Sequence, residues 1–168
     1  MNASDARRYA VTSLAATPHT QHLGPDDLPF VTISEGVELQ LLHVDLSTGL
    51  WVNRTRLKPG ASVIRHLHAG PVHAVTLQGR WYYRESPDQV NVAGSYLFEP
   101  AGSVHTLQAA ADQDEDTLAW FAIWGPNINL LDSGEVHSVF DAGTALRIYR
   151  ELCAAARLNI DKLIVAGA

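Results

Sequence analysis

The sequence predicts an all-β domain, a sandwich or barrel of short strands with one short C-terminal helix. Three observations carry that expectation. Apolar segments between Phe30 and Val139 are short and are broken by turn residues at Ser47-Thr48-Gly49, Lys58-Pro59-Gly60, Gln78-Gly79 and Ser86-Pro87-Asp88. Several of these segments alternate in polarity, as in Arg80-Trp81-Tyr82-Tyr83-Arg84. Helical periodicity is confined to the stretch after Asp141.

The elements follow in order. Residues 1–27 are polar and rich in Pro, Ala and Thr, and read as an arm with little regular structure. His19 and His22 lie in it and read as surface residues. Strands are expected at Val37 to Val44, Leu50 to Leu57, Ser62 to His68, Pro71 to Leu77, Arg80 to Arg84, Val90 to Val92, Ser95 to Glu99, Val104 to Gln108 and Leu118 to Trp124. The acidic stretch Asp112 to Asp116 is a solvated loop, without the Gly and terminal Glu of a calcium-binding loop. Asp141 can cap a helix over Ala142 to Leu158, with Leu146, Tyr149, Leu152 and Cys153 on one stripe. The tail Lys162-Leu163-Ile164-Val165 is apolar enough to be buried somewhere, a neighbouring subunit being one candidate. The organisation expected is an arm (1–27), a barrel (28–140) and a helix with tail (141–168).

Composition narrows the function. With 168 residues the chain can bury one proper core. A net charge of −6 argues against a nucleic-acid partner, which needs clustered Lys and Arg. Cys153 is the single cysteine, so neither a disulfide framework nor a cysteine-based zinc site is expected. No apolar run approaches the length of a membrane span, and a cytoplasmic enzyme is the default expectation.

Histidines carry the chemistry. His66 and His68 are spaced i, i+2, so on a strand both imidazoles project from one face. His105, inside Pro100-Ala101-Gly102-Ser103-Val104-His105, can supply a third ligand from a distant strand. Three neutral imidazoles leave positions open on a transition metal, which suits reaction rather than scaffolding. Alternation sends Trp81 and Tyr83 inward; on the last long strand Trp120 and Trp124 share a face opposite Phe121 and Ile123. Trp81, Tyr83, Trp120 and Trp124 are the candidate pocket walls, the alternative being ordinary core.

The combination Gly60-x5-His66-x-His68, then Gly79, then Gly94-x5-Pro100-x-Gly102-x2-His105 resembles the two sequence motifs of the cupin superfamily. That resemblance implies a double-stranded β-helix, a jelly-roll barrel with both motifs at one end. The common cupin pattern has a Glu ligand where this chain has Val72. His73 is then a candidate fourth ligand, but only if a bulge turns it to the metal face; otherwise it packs elsewhere. Further stretches, among them Leu57-Lys58-Pro59-Gly60-Ala61, Gly70 to Trp81 and Tyr96 to Leu107, resemble the 2,4'-dihydroxyacetophenone dioxygenase family, whose relatives are acetylacetone-cleaving dioxygenases. Such three-His cupins carry a Glu beside the metal ligands at the offset of Glu99, which would hold a water or accept a substrate proton; the alternative is an exposed strand end.

What the resemblance implies is a mononuclear non-haem Fe(II) dioxygenase that cleaves a carbon–carbon bond in a hydroxyketone or diketone. Its partners would be a small-molecule substrate and dioxygen, with neither nucleic acid nor membrane, in a homodimer or homotetramer. Zinc or nickel can replace iron at such a site during purification. Two alternatives stand beside it: a metal-binding cupin without turnover, serving as a sensor, and a redox-neutral metal-dependent isomerase or lyase.

Overall fold

A computed structural model describes residues 19–167. Most of the expected arm, residues 1–18, lies outside the described residues; residues 19–30 carry only turns and bends before the first strand. The chain then forms β1 (Val31–Ser34), β2 (Val37–Asp45) and β3 (Leu50–Leu57). Next come β4 (His66–His68), β5 (Val72–Gln78), β6 (Arg80–Tyr83), β7 (Ser86–Val92) and β8 (Tyr96–Glu99). They are followed by β9 (Val104–His105), β10 (Leu107–Ala109), β11 (Thr117–Trp124), β12 (Asn127–Leu130) and β13 (Val136–Phe140). Helix α1 (Ala142–Ala155) and β14 (Ile164–Ala166) complete it.

The largest sheet runs β1-β2-β3-β11-β5-β8, with β14 added beside β2. Two smaller sheets, β10-β6-β7 and β13-β12-β4-β9, complete the layers. Successive pairs (β1-β2-β3, β6-β7, β12-β13) are joined by pairings of strands distant in sequence (β3-β11-β5-β8, β10-β6, β12-β4-β9), the pattern of a jelly roll. Alternation builds the core. On β3, Trp51, Asn53, Thr55 and Leu57 are buried and the residues between them are not. Trp81 is wholly buried, edge-on to Tyr83, and donates its indole N–H to Thr76 Oγ1 at 2.8 Å. Gly79 closes the turn between β5 and β6 with φ of 72°; a Cβ there would lie 2.8 Å from Thr117 Cα.

Four expectations change in detail. Ser86-Pro87-Asp88 is not a turn but the start of β7; the turn is Arg84-Glu85, fixed where the Glu85 carboxylate accepts from Thr106 N at 2.9 Å. Pro87 fits because β7 is the outer strand of its sheet, where a missing N–H costs little. The segment expected as one strand over Val104 to Gln108 divides at Thr106, since β9 pairs with β4 while β10 pairs with β6. Of the strand expected over Ser62 to His68, only His66–His68 forms. The apolar tail packs half-buried within this chain, where β14 runs parallel to β2.

Helix α1 ends at Ala155, three residues earlier than expected, and starts where Asp141 accepts from Thr144 N at 2.7 Å. Its buried stripe is Ala142, Ala145, Leu146, Tyr149 and Cys153. The Tyr149 hydroxyl donates to the Pro29 carbonyl at 2.7 Å and ties the helix to the segment before β1.

Candidate metal centre

Register assembles the site. On β4 the burial pattern is buried, half-buried, buried, so His66 and His68 both face inward and Leu67 does not. Strand β9 pairs antiparallel with β4 and sets His105 directly opposite His66. The ligand nitrogens of His66, His68 and His105 lie within 4.8 Å of one another. All three rings are about 95% removed from solvent, at 4%, 3% and 5% exposure.

Each imidazole is prepared differently. His66 Nδ1 donates to the Ile64 carbonyl at 2.7 Å, which leaves its Nε2 lone pair free. That Nε2 lies 3.0 Å from His68 Nε2. Burial, then the neighbouring His68, lowers the pKa of His66 to about 4, so it is neutral at physiological pH, as a ligand must be. The His105 ring stacks on Tyr83 with centroids 3.8 Å apart and planes 11° from parallel.

Glu99 completes the cluster. It is 4% exposed, and its Oε2 lies 2.8 Å from His68 Nε2 and 3.1 Å from His105 Nε2. These atoms are near one another without hydrogen-bond alignment: Glu99 Oε2 and His105 Nε2 are both buried without a partner. The histidine nitrogens, gathered this closely, suit a shared cation, since ligand bonds of about 2.1 Å place neighbouring ligand atoms roughly 3 Å apart. The residues therefore fit a metal ion. Burial opposes the charge on Glu99, yet the His105 and His68 imidazoles outweigh it and hold the carboxyl well below its ordinary range. The Tyr83 hydroxyl donates to Glu99 Oε1. Burial, reinforced by the Glu99 charge, raises the Tyr83 pKa far above normal and keeps it a donor.

The remaining predicted residues divide. His73 is on the opposite face of β5, where its Nδ1 meets the Tyr96 hydroxyl at 2.8 Å and its ring packs near Phe98 and Trp124. No bulge interrupts β5 there, because Val72 pairs with Glu99 and His73 with Phe98 in unbroken register. His73 is thus not placed as a ligand. Trp120 and Trp124 share that outer face and are not pocket walls; Phe121 and Ile123, of the other parity, line the cavity. Trp81 sits behind the wall, packed on Tyr83 and Phe121, and Tyr83 alone of the four lines the cavity.

The cavity has a volume of about 630 Å³ and runs from the histidines between mainly apolar walls. Sequence reasoning missed Trp51, Asn53 and Thr55 on β3, Asn127 and Asn129 on β12, and Phe140 on β13, all of which line it. For β3 a signal existed: Asn53 and Thr55 share the parity of Trp51 and Leu57, a polar pair on a core-facing register. For β12 there was none, and only its pairing opposite β4 brings Asn127 and Asn129 to the site.

Residues 19–126 match the ChrR cupin-like domain family. The chain belongs to this cupin family. As a cupin it has many structural counterparts. A cupin-like protein of unknown function from Ralstonia eutropha is 30% identical, with a TM-score of 0.80 over 90% of this chain and 97% of that one. An acetylacetone dioxygenase from Acinetobacter johnsonii is 22% identical, with a TM-score of 0.70 over 81% of this cupin and 93% of that chain. A chain from the Rhodobacter sphaeroides complex of SigE with the anti-sigma ChrR is 20% identical, with a TM-score of 0.50 over 60% of this chain and 51% of that one. The last two likenesses are of fold. A search of the curated proteins finds no match. Among the described residues, no helix of this cupin is long and apolar enough to cross a membrane. What stands is a cupin jelly roll with a three-histidine centre suited to a metal ion.

Proposed function

We propose that this cupin is an Fe(II)-dependent dioxygenase that cleaves a carbon–carbon bond in a hydroxyketone or diketone. The observation that carries the proposal is the meeting of His66, His68 and His105 with the Glu99 carboxylate beside an apolar cavity of about 630 Å³. His66, His68 and His105 hold the metal, which when bound supplies Lewis-acid polarisation of the substrate oxygens and reducing power toward dioxygen. The fold likeness to an acetylacetone dioxygenase supports the same reading.

The protein's own groups act around that centre. Glu99 Oε2 would accept the C–H or O–H proton of a substrate seated beside the histidines. A weakly basic carboxylate suffices, because a bound metal would acidify the substrate. Tyr83 holds Oε1 by its hydroxyl and so aims Oε2 at the histidine nitrogens. The apolar walls, Phe121 and Ile123 among them, exclude water and hold the substrate body. For a hydroxyketone the balance is R–CO–CH2OH plus O2 giving R–COOH and HCOOH, with the bond between the carbonyl and hydroxymethyl carbons broken. The partners are thus a small-molecule substrate and dioxygen, and the protein acts as a homodimer or homotetramer.

The test is oxygen uptake by anaerobically purified, iron-loaded protein over a panel of hydroxyketones and diketones, with the acids identified. Uptake matched to acid formation is expected. Iron bound stoichiometrically without uptake on any of the panel would favour a second reading, a metal-binding cupin that senses without turnover. The match to a ChrR-like domain is the observation on its side.

A further inference from the structure

Besides Glu99 Oε2 and His105 Nε2, the buried side-chain atoms without a hydrogen-bond partner among the described residues are His68 Nδ1, Asn127 Oδ1 and Ser103 Oγ. They belong to one row across the sheet. Asn127 of β12 stands directly opposite His68 of β4. On the other side, His68 N donates to the Ser103 carbonyl at 3.0 Å and Gly102 N donates to the His68 carbonyl at 2.8 Å. Gly102, with φ of 88°, forms a bulge there and leaves Ser103 opposite His68. Directly opposite residues of antiparallel strands share a face, so Asn127 turns to the same side as His68 and lines the cavity. The next row is already satisfied: Asn129 donates to Ser138 Oγ at 2.9 Å, and His66 Nδ1 donates to the Ile64 carbonyl.

Ligation fixes where the proton of His68 sits. Its Nε2 lies 3.0 Å from His66 Nε2 and 2.8 Å from Glu99 Oε2, on the cluster side of the ring. With that nitrogen ligating, a neutral His68 carries its proton on Nδ1 and must donate there. A buried N–H without an acceptor is costly, and metal-ligating histidines almost always give that proton to a fixed partner. Asn127 Oδ1 has no proton and can only accept, whereas Ser103 Oγ can also rotate to donate. The Cβ atoms of directly opposite residues lie about 5 Å apart, so a rotation of the amide brings its oxygen to the imidazole.

We propose that Asn127 is the positioning residue of His68: with metal bound, its Oδ1 accepts from His68 Nδ1–H and fixes the tautomer and ring plane that present Nε2. This rests on the three-histidine centre and not on the reaction proposed above, so it applies equally to a dioxygenase and to a sensor.

Zinc tests it without turnover. Affinity is read by competition with a chromophoric chelator, and the histidine tautomers by proton–nitrogen NMR of the zinc-loaded protein. Wild type is expected to bind zinc and to show a slowly exchanging Nδ1 proton on His68. Asn127→Leu should lower the affinity about 10- to 100-fold and expose that proton to exchange. Asn127→Asp keeps an acceptor oxygen in place, so affinity should be at or above that of wild type. Its carboxylate accepts more strongly and should move the Nδ1 proton downfield, a readout that serves if Asn127→Leu does not fold. Ser103→Ala should leave both readouts unchanged. Full affinity with a protected proton in Asn127→Leu, an unmoved proton in Asn127→Asp, or loss of both readouts in Ser103→Ala overturns the role of Asn127. A wild type that binds no zinc would remove the centre and this role with it, whereas binding without oxygen uptake would remove only the reaction.

Discussion

Val72 and Glu99 face each other across β5 and β8, and Glu99 places at the metal centre the carboxylate that position 72 lacks. Val72 is wholly buried, so the space a cupin glutamate would occupy is filled with apolar side chain. The negative charge is relocated rather than lost: Glu99 Oε2 comes within 2.8 Å of His68 and 3.1 Å of His105. A neutral hydroxyketone or diketone would meet a carboxylate able to take the proton it gives up on becoming an anion.

Glu99→Gln keeps the shape of that side chain and removes its charge. Metal is expected to remain bound through the three histidines, while turnover on the best substrate of the panel falls about 10²- to 10⁴-fold. Metal analysis beside steady-state kinetics checks this. Loss of metal together with activity would make Glu99 a ligand and not an acid–base group.

Tyr83→Phe retains the ring stacked on His105 and deletes the donor to Glu99 Oε1. A buried, charged acceptor then loses a partner, so stability should fall by about 2 kcal/mol with metal stoichiometry unchanged. Denaturant titration of the metal-free protein gives the difference directly. An unchanged midpoint would mean that the hydroxyl does not hold the carboxylate.

The metal-free protein should be sensitive to mild acid. The folded-state pKa of His66 is lowered to about 4, from 6.5. Between those values the unfolded chain binds a proton that the folded one does not, so stability rises with pH and is lost as pH falls from 6.5 to 4. The loss attributable to His66 is about 3 kcal/mol at the acid end. Glu99, whose folded pKa is depressed, acts in the same direction but only below its ordinary carboxylate range. Unfolding free energies across that window in wild type and His66→Gln test the sign; a flat wild-type profile contradicts it.

Gly70→Ala places a Cβ against the Trp124 carbonyl oxygen, at the approach of the segment after β4 to the end of β11. Main chain cannot yield there as a side chain would, and a loss of about 2–3 kcal/mol is expected in thermal unfolding.

How far the sequence was legible differs between the site and its surroundings. His66 and His68 follow from a period of two, which is a local property, and His105 follows from its motif. The cavity walls were harder. Trp120 and Trp124 were eligible by size, but parity alone cannot say which face of β11 turns inward; the pairing of Ile123 with both Val72 and Trp51 decides it. β12 escaped notice because Asn127-Ile128-Asn129-Leu130 has no strong strand composition, and its place comes from pairing with β4. Similarly, Thr106 ends one strand and precedes another because two different partners claim its neighbours.

The central claim, that three histidines and not a fourth hold the metal, is tested most directly by equilibrium metal binding to wild type, His105→Ala and His73→Ala. One equivalent of Fe(II) is expected in wild type and in His73→Ala, with affinity lost in His105→Ala. Undiminished binding by His105→Ala, or loss of binding in His73→Ala, would contradict it.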